Sequence, residues 1–244
     1  MNIKKSICIY FHILSFSAIS LLCLGQEANP YLSKWDNLYL SGDSLPVIMP
    51  YNRIVDPAGD QIYFGDNNME NHALDCALSP DKKILAIEGR YRIVFYNVES
   101  GKMISELKPG SDKELTGARN TYSGIKWYQK GNQQYVLWSL VDSKKRSFVV
   151  KAIWDGQKAT ITNRYLFDAT DPSPVALPNE LEILKEESGD YLIVVLNGNN
   201  QVVKIKIETG EIIWKTNVGV APYGIVAAKG KIFVTNWGGQ IPDE

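Results

Sequence analysis

Short apolar runs alternate with compact polar turns along most of the chain, and residues 71–107 show the pattern most clearly. The turns there read SPDKK, EGR and ESG. In the first run Leu74, Cys76 and Leu78 alternate with small or polar residues, the period of two that is typical of a half-buried strand. We therefore predict an antiparallel meander with Leu74, Cys76 and Leu78 on its buried face. The predicted strands are residues 74–79, 84–87, 93–98 and 103–107.

The same unit returns twice and begins a third time. Glycine closes the third turn of each full unit, at Gly101, Gly156 and Gly210, with spacings of 55 and 54 residues. A four-stranded unit that recurs at about 50 residues is typical of propeller blades. Strands are predicted at 123–128, 134–141, 147–154 and 160–167, then at 180–184, 191–196, 202–208 and 212–217, and finally at 222–228 and 231–235.

A single meander cannot bury both of its faces, so it needs copies stacked on either side. We predict an all-β fold, a β-propeller of four-stranded antiparallel blades that is incomplete at about three and a half blades. A β-sandwich also uses short strands, but it does not predict the repeated turn register. The blades are expected near residues 71–107, 122–167, 179–217 and, in part, 222–244.

The incompleteness has two interpretations. Strands predicted at 47–49 and 61–64, with a turn at 56–59, place residues 45–66 as outer strands that could close a four-bladed ring. Otherwise the edge of the last strand, at 232–235, stays uncovered, which invites pairing with another chain. We expect the second case, in which the propeller domain of residues 26–244 is only part of a ring.

The first 25 residues are typical of a secretory signal. Lys4 and Lys5 precede an apolar stretch over 7–22, and small residues follow near the expected cleavage position. We predict export to the periplasm or the extracellular space, with a membrane anchor or a lipid attached at Cys23 as alternatives. Cleavage would leave Cys76 as the single cysteine, expected to be buried and reduced.

Residues 194–236 carry a more specific pattern. A strand ends in Asn197, a Thr-Gly turn follows at 209–210, and then come Val-Gly at 218–219, Pro222-Tyr223-Gly224-Ile225 and a second strand ending in Asn236. This order resembles the YVTN-type repeat of secreted bacterial β-propellers. The resemblance implies a repeat of about 40 residues, and the two asparagines lie 39 residues apart.

A second resemblance concerns residues 49–81, MPYNRIVDPAGDQIYFGDNNMENHALDCALSPD. They resemble the opening of bacterial proteins in which such a propeller precedes a phosphoesterase domain of the alkaline-phosphatase superfamily. Sites of that superfamily use several His and Asp ligands to hold two metals. The chain has 2 histidines, so the resemblance implies that the catalytic half is missing.

The composition offers little catalytic chemistry. A formal net charge of −1 lacks the basic footprint of a nucleic-acid binder. Ser79-Pro80-Asp81-Lys82 has S-x-x-K spacing, but Pro80 between strands predicts a hairpin turn. Asp66, Asn68 and Glu70 alternate as in a calcium loop without its glycine, which favours a polar linker. We predict no cofactor and no metal; a propeller hydrolase with one channel-bound metal is a less favoured alternative.

Candidate ligand contacts are residues expected where the first strands begin and the second strands end. His72 precedes the first strand of a blade, and Trp237 follows the last predicted strand. Trp127, Trp138, Trp154 and Trp214 lie inside strands and are expected to pack between blades. Glu88 and Arg90 are interpreted as surface or blade-to-blade ion pairs. The predicted ligand-binding residues are Arg53, His72, Arg90, Tyr223 and Trp237.

These observations favour an exported binding or scaffold module without catalysis of its own. The alternative is the propeller portion of a secreted phosphoesterase whose metal domain lies outside this chain. The expected partner is an unknown protein or small molecule at the mouth of the propeller channel. We expect no nucleic-acid partner, and no membrane span once the signal is removed.

Overall fold

The computed structural model describes residues 47–49, 53–55, 62, 64–66, 68–69 and 72–239, with the backbone alone for the first two ranges. The chain divides into two compact units, Met1–Tyr63 and Phe64–Glu244. In the first unit β1 (Val47–Met49) pairs antiparallel with β2 (Arg53–Val55), and Ile48 is the partner of Ile54.

The prediction for this first region is half right. The strand at 47–49 is confirmed, but a strand at 61–64 is wrong, because Ile62 and Phe64 lie outside any strand. The partner is Arg53–Val55 instead. Its β-branched Ile54 and Val55 suit a strand, and a partner so near in sequence costs little loop-closure entropy. The turn predicted at 56–59 lies outside the described residues.

In the second unit the described residues form three four-stranded sheets and one two-stranded sheet, each with its strands in chain order and antiparallel. The predicted strand positions of all four blades are confirmed. The first blade contains β3 (Ala73–Leu78), β4 (Ile84–Gly89), β5 (Arg92–Asn97) and β6 (Lys102–Leu107); the second contains β7 (Arg119–Lys130), β8 (Gln133–Val141), β9 (Ser147–Trp154) and β10 (Ala159–Phe167); the third contains β11 (Pro178–Glu186), β12 (Gly189–Leu196), β13 (Gln201–Lys206) and β14 (Ile212–Asn217); the fourth contains β15 (Pro222–Ala228) and β16 (Lys231–Asn236).

The predicted turn register is confirmed as well. Gly101, Gly156 and Gly210 have φ of +66°, +97° and +76°, a region in which a side chain is strained. Ser79 Oγ donates to Asp81 Oδ1 at 2.6 Å, and Lys82 N donates to Ser79 O at 2.8 Å. The S-x-x-K stretch is therefore a hairpin turn, as predicted.

The sheets stack side by side through their first strands. β3 lies beside β7, β7 beside β11, and β11 beside β15. A series of meanders whose first strands adjoin one another has the architecture of a β-propeller. The second unit is therefore a partial propeller with three four-stranded blades and two strands of a fourth.

Apolar side chains fill the seams between successive blades. Between the first two blades, Phe95 stacks on Trp154 with ring centroids 4.6 Å apart, and Trp127 meets both rings edge-on. Trp138 is fully buried in the same seam, and Trp214 packs into the seam of the fourth blade. The predicted packing of these four tryptophans between blades is confirmed.

A middle blade buries both of its faces, which explains its nearly continuous apolar strands. On β12, Leu192 and Val194 pack toward the second blade, whereas Ile193 and Val195 pack toward the fourth. Strands covered on both sides lose the alternation of apolar and polar residues.

The buried face predicted for β3 is wrong. Cys76 is exposed and Leu78 is 45% exposed, whereas Ser79 is 2% exposed. Ala77 packs into the seam with the second blade, and Asp75 Oδ2 accepts a hydrogen bond from Gly124 N at 3.0 Å. The neighbouring blade therefore covers the small and polar face of β3, because small side chains let β7 approach closely.

Glu88 on β4 is also unlike its prediction. It is completely buried, and neither carboxylate oxygen has a hydrogen-bond partner among the described residues. Burial, together with the negative charges of Asp75 and Glu180, raises the pKa of this carboxyl well above its usual range. Burial therefore disfavours the charged form of Glu88, and the predicted ion pair is not formed among the described residues.

Candidate binding site where the first strands begin

One end of the second, third and fourth blades is closed by a similar backbone contact. A residue just past the second strand donates to a carbonyl that precedes the first strand: Ser143 N to Thr116 O, Asn197 N to Leu177 O, and Trp237 N to Ala221 O. This repeated closure brings the starts of the first strands and the ends of the second strands to one end of the blades, where the ligand was predicted to bind.

Irregular pairing at the start of the first strands turns side chains out at this end. The register of β7 shifts between Asn120 and Ile125, and that of β15 shifts between Pro222 and Ile225. Tyr122 and Tyr223 lie within these two shifts. β-Bulges commonly re-aim a side chain in this way, and Tyr122 is 52% exposed as a result.

Three of the five predicted residues are joined into one surface through Tyr122. The guanidinium carbon of Arg90 lies 5.2 Å from the centroid of the Tyr122 ring. Tyr223 Oη donates to Tyr122 O at 3.1 Å. Tyr223 in turn stacks on Trp237, with centroids 4.2 Å apart and planes inclined by 15°. We call Tyr223 and Trp237 the aromatic platform.

The first two blades clasp each other beside this surface. Arg90 lies over Tyr122, and the reciprocal pair places the guanidinium carbon of Arg119 5.9 Å from the ring centroid of Tyr91. Arg90 Nη1 also donates to Asn120 O at 2.8 Å. Each arginine is thereby held by contacts from the other blade. The ion pair predicted for Arg90 is wrong, since its contacts across the blade boundary are a hydrogen bond and a ring.

Asn120 anchors the clasp. Its side chain is buried, and Nδ2 donates to Gly89 O at 2.7 Å and to Arg92 O at 3.2 Å. These two carbonyls fix the orientation of the amide. Asn120 Oδ1 and Arg90 Nε are buried and have no hydrogen-bond partner among the described residues.

A cavity of about 530 Å³ opens at the clasp, and we call it the arginine cavity. Its basic groups are Arg90 and Arg119. The one acid among its described lining residues, Asp142, forms an ion pair with Arg146 at 2.6 Å. The lining residues are Arg90, Gly117, Arg119, Asn120, Thr121, Tyr122, Val141, Asp142, Ser143, Val175 and Leu177.

A second cavity of about 470 Å³ adjoins it, and Gly117 and Arg119 line both. Arg92 and Lys108 also line this adjoining cavity. Both are paired with Glu106, at 2.7 and 3.0 Å. Although burial by itself opposes the change, hydrogen bonds from Lys108 and Arg92 lower the pKa of Glu106.

The other two predicted residues lie elsewhere along the chain. His72 is exposed just before β3, with its carbonyl beside Gly89. The backbone of Arg53 lies in β2 of the first unit, and its side chain is outside the described residues. Sequence reasoning missed Arg119 and Tyr122, although Tyr122, like Tyr223, stands where the first strand of a blade begins.

Within the described ranges, no group of three or more His, Cys, Asp or Glu side chains is arranged to hold a metal ion. No helix among the described residues has the length and apolar character of a membrane span. The site consists of arginine donors, exposed aromatic rings and two small cavities.

No family model matches the sequence, and none of the curated proteins compared with it does. Among solved structures, a protein of unknown function from Bacteroides caccae is 12% identical, with a TM-score of 0.49, over 75% of this chain and 57% of that one. A nidogen/laminin complex is 15% identical, with a TM-score of 0.46, over 66% of this chain and 54% of that one. The Cps50 (Swd1) β-propeller domain of Myceliophteria thermophila is 13% identical, with a TM-score of 0.45, over 67% and 49%. The chain thus spans about half the length of these structures.

Proposed function

We propose that the chain is an exported binding module that captures a segment of another protein on the aromatic platform and the neighbouring arginine cavity. The observation that carries the proposal is the exposure of Trp237, 69%, in contact with Tyr223 and through it with Tyr122 and Arg90. Trp, Tyr and Arg are the residues that dominate binding energy at protein interfaces.

The platform is held in place before any partner arrives. Three backbone hydrogen bonds fix the turn that carries Trp237: Trp237 N to Ala221 O at 3.0 Å, Gly238 N to Val220 O at 2.9 Å, and Val220 N to Gly239 O at 3.0 Å. Stacking on Tyr223 further limits the rotation of the indole. A preorganised aromatic surface loses little conformational entropy on binding, which supports a recognition role.

The proposal also includes export from the cytoplasm and membership of the YVTN-type propellers. Export is supported by the signal-like residues 1–25, and membership of the YVTN-type propellers by the order of motifs in residues 194–236. Detection of the protein outside the cytoplasm, with residues 1–25 removed, tests export. The alternative role, as part of a phosphoesterase, is tested by reading the gene past codon 244 for a region rich in Asp and His ligands.

Selection from a display library of random peptides tests the binding function. We expect the wild-type chain to enrich peptides whose binding falls at least about tenfold in Trp237→Ala, since one interface hot spot contributes about 2 kcal/mol or more. Phe233→Ala is the matched control, because Phe233 is 54% exposed on β16 outside the platform. Equal binding by Trp237→Ala and wild type, or no enrichment at all, would contradict the proposal.

A further inference from the structure

We propose that the arginine cavity receives the carboxylate of an aspartate or glutamate in the captured peptide, while a neighbouring residue of that peptide covers Trp237. The inference rests on the binding function proposed above and names the chemistry of the partner. It is carried by the charges and contacts of the residues around the two adjoining cavities.

Basic groups dominate these cavities although the chain as a whole has a formal charge of −1. Arg92 and Lys108 are compensated by Glu106. Arg90 and Arg119 are different, because neither forms an ion pair with a carboxylate among the described residues. A local excess of positive charge at a concave site attracts an acidic group.

The acid inside the arginine cavity does not compensate these arginines. Asp142 Oδ1 accepts hydrogen bonds from Lys144 N and Arg146 N at 2.9 Å each, and Oδ2 accepts from Arg146 Nε at 2.7 Å. Both oxygens are therefore occupied, and the charge of Asp142 is balanced by Arg146.

Glu88 is a buried acid that interacts electrostatically with the charge of Arg90. Burial raises the pKa of this carboxyl well above its usual range, which disfavours the charged form that could pair with Arg90. Neither oxygen of Glu88 bonds to Arg90, so an incoming carboxylate can supply the missing negative partner.

The arginines are also oriented for this task. Arg90 lies over the Tyr122 ring and Arg119 over the Tyr91 ring. Arg90 already donates to Asn120 O, whereas stacking leaves the donors at the edge of the Arg119 guanidinium free. Edge donors bind a carboxylate through two parallel hydrogen bonds. Val141, Val175 and Leu177 on the cavity wall can cover the methylene groups of an acidic side chain.

The cavity and the platform form one continuous site. The Tyr223 hydroxyl donates to Tyr122 O, and Tyr122 itself lines the cavity. A peptide whose acid enters the cavity can therefore place an adjacent residue on the platform. A nucleic acid fits less well, since it needs many phosphate contacts along a basic surface.

The test uses the tightest peptide from the display selection and its analogue with each Asp or Glu replaced by Asn or Gln. Fluorescence polarisation with the full chain should give a Kd at least about tenfold weaker for the amide analogue. The variant Arg119→Ala should lose a similar factor, and Arg119→Lys should recover part of it. Lys158→Ala should bind as wild type, because Lys158 is exposed in the turn between β9 and β10 and lines neither cavity. The Kd of the acidic peptide should also rise with salt.

The failures of the two proposals are distinguishable. If Trp237→Ala abolishes binding but the amide analogue binds as well as the acid, the carboxylate inference is wrong and the binding function stands. Equal binding of the acidic peptide to wild type and Arg119→Ala, with unchanged denaturation midpoints, would also make the carboxylate inference wrong. If no peptide binds in a manner that depends on Trp237, the binding function itself fails.

Discussion

Large aromatic residues are buried in the seam between the first two blades but exposed on the outer side of β15–β16. Phe95 and Trp138 are fully buried in the seam, whereas Phe233 is 54% exposed and Trp237 69% exposed. Val226 and Phe233, which are cross-strand partners, are both exposed on the two-stranded sheet. An aromatic residue in or beside a strand is therefore buried only where another blade stacks on that side.

The largest expected effect contrasts the two regions directly. Trp138→Ala should lower the free energy of unfolding by about 3–5 kcal/mol, because it leaves a large void in a closely packed seam. Phe233→Ala should change it by no more than about 0.5 kcal/mol. Denaturant titration of both variants measures the difference. Equal destabilisation would show that β16 is covered in solution.

Substitution of two glycines compares a close contact between blades with an open turn. A Cβ on Gly124, whose φ is +107°, would lie 2.0 Å from Asn179 O in the third blade, whereas a Cβ on Gly131 meets nothing within 4 Å. Gly124→Ala should cost about 2–4 kcal/mol, since backbone strain adds to a backbone clash.

Gly131→Ala is the control with positive φ and no clash, and it should cost about 1 kcal/mol. Thermal or denaturant unfolding of the two variants gives the values. Equal losses in the free energy of unfolding would contradict the close approach of the second and third blades at Gly124.

Glu88 gives the stability of the seam a pH dependence. Its folded pKa lies above the unfolded value, so the folded state holds one more proton as pH rises from the unfolded pKa toward the folded one. Stability should therefore fall across that window, by up to about 1.4 kcal/mol per pH unit. Glu88→Gln should remove this slope. Unfolding curves measured from about pH 4 upward test it, and identical slopes would contradict the burial of Glu88.

The smallest effect is expected on the exposed face of β3. Cys76 should react with a thiol reagent in the native protein nearly as fast as in the denatured chain, without a change in stability, in a background where Cys8 and Cys23 are replaced by Ser. The control is Ala152→Cys in the same background with Cys76→Ser, since Ala152 is fully buried. That thiol should react only after unfolding. Protection of Cys76 would mean that this face is covered.

Three residues of the candidate site could be predicted from the sequence. Arg90, Tyr223 and Trp237 were predicted because residues near the start of first strands and the end of second strands share one end of a propeller. Arg119 and Tyr122 were missed, because residues 108–120 are rich in charged side chains and β7 begins earlier than its apolar run. The bulge that turns Tyr122 outward depends on Gly124. A single glycine within a strand pattern does not show in which direction the neighbouring side chains turn.

The sequence alone determined the strands, their turns and the repeat, since these depend on local periodicity and on the glycines that tolerate positive φ. The tertiary structure decided which face of β3 is buried, why Glu88 lacks a partner and which residues meet Arg90. Alternation of apolar residues identifies two faces of a strand but not the neighbour on either side. That choice depends on stacking against another blade, and contacts such as Asp75 to Gly124 and Tyr223 to Tyr122 join residues 49 and 101 positions apart.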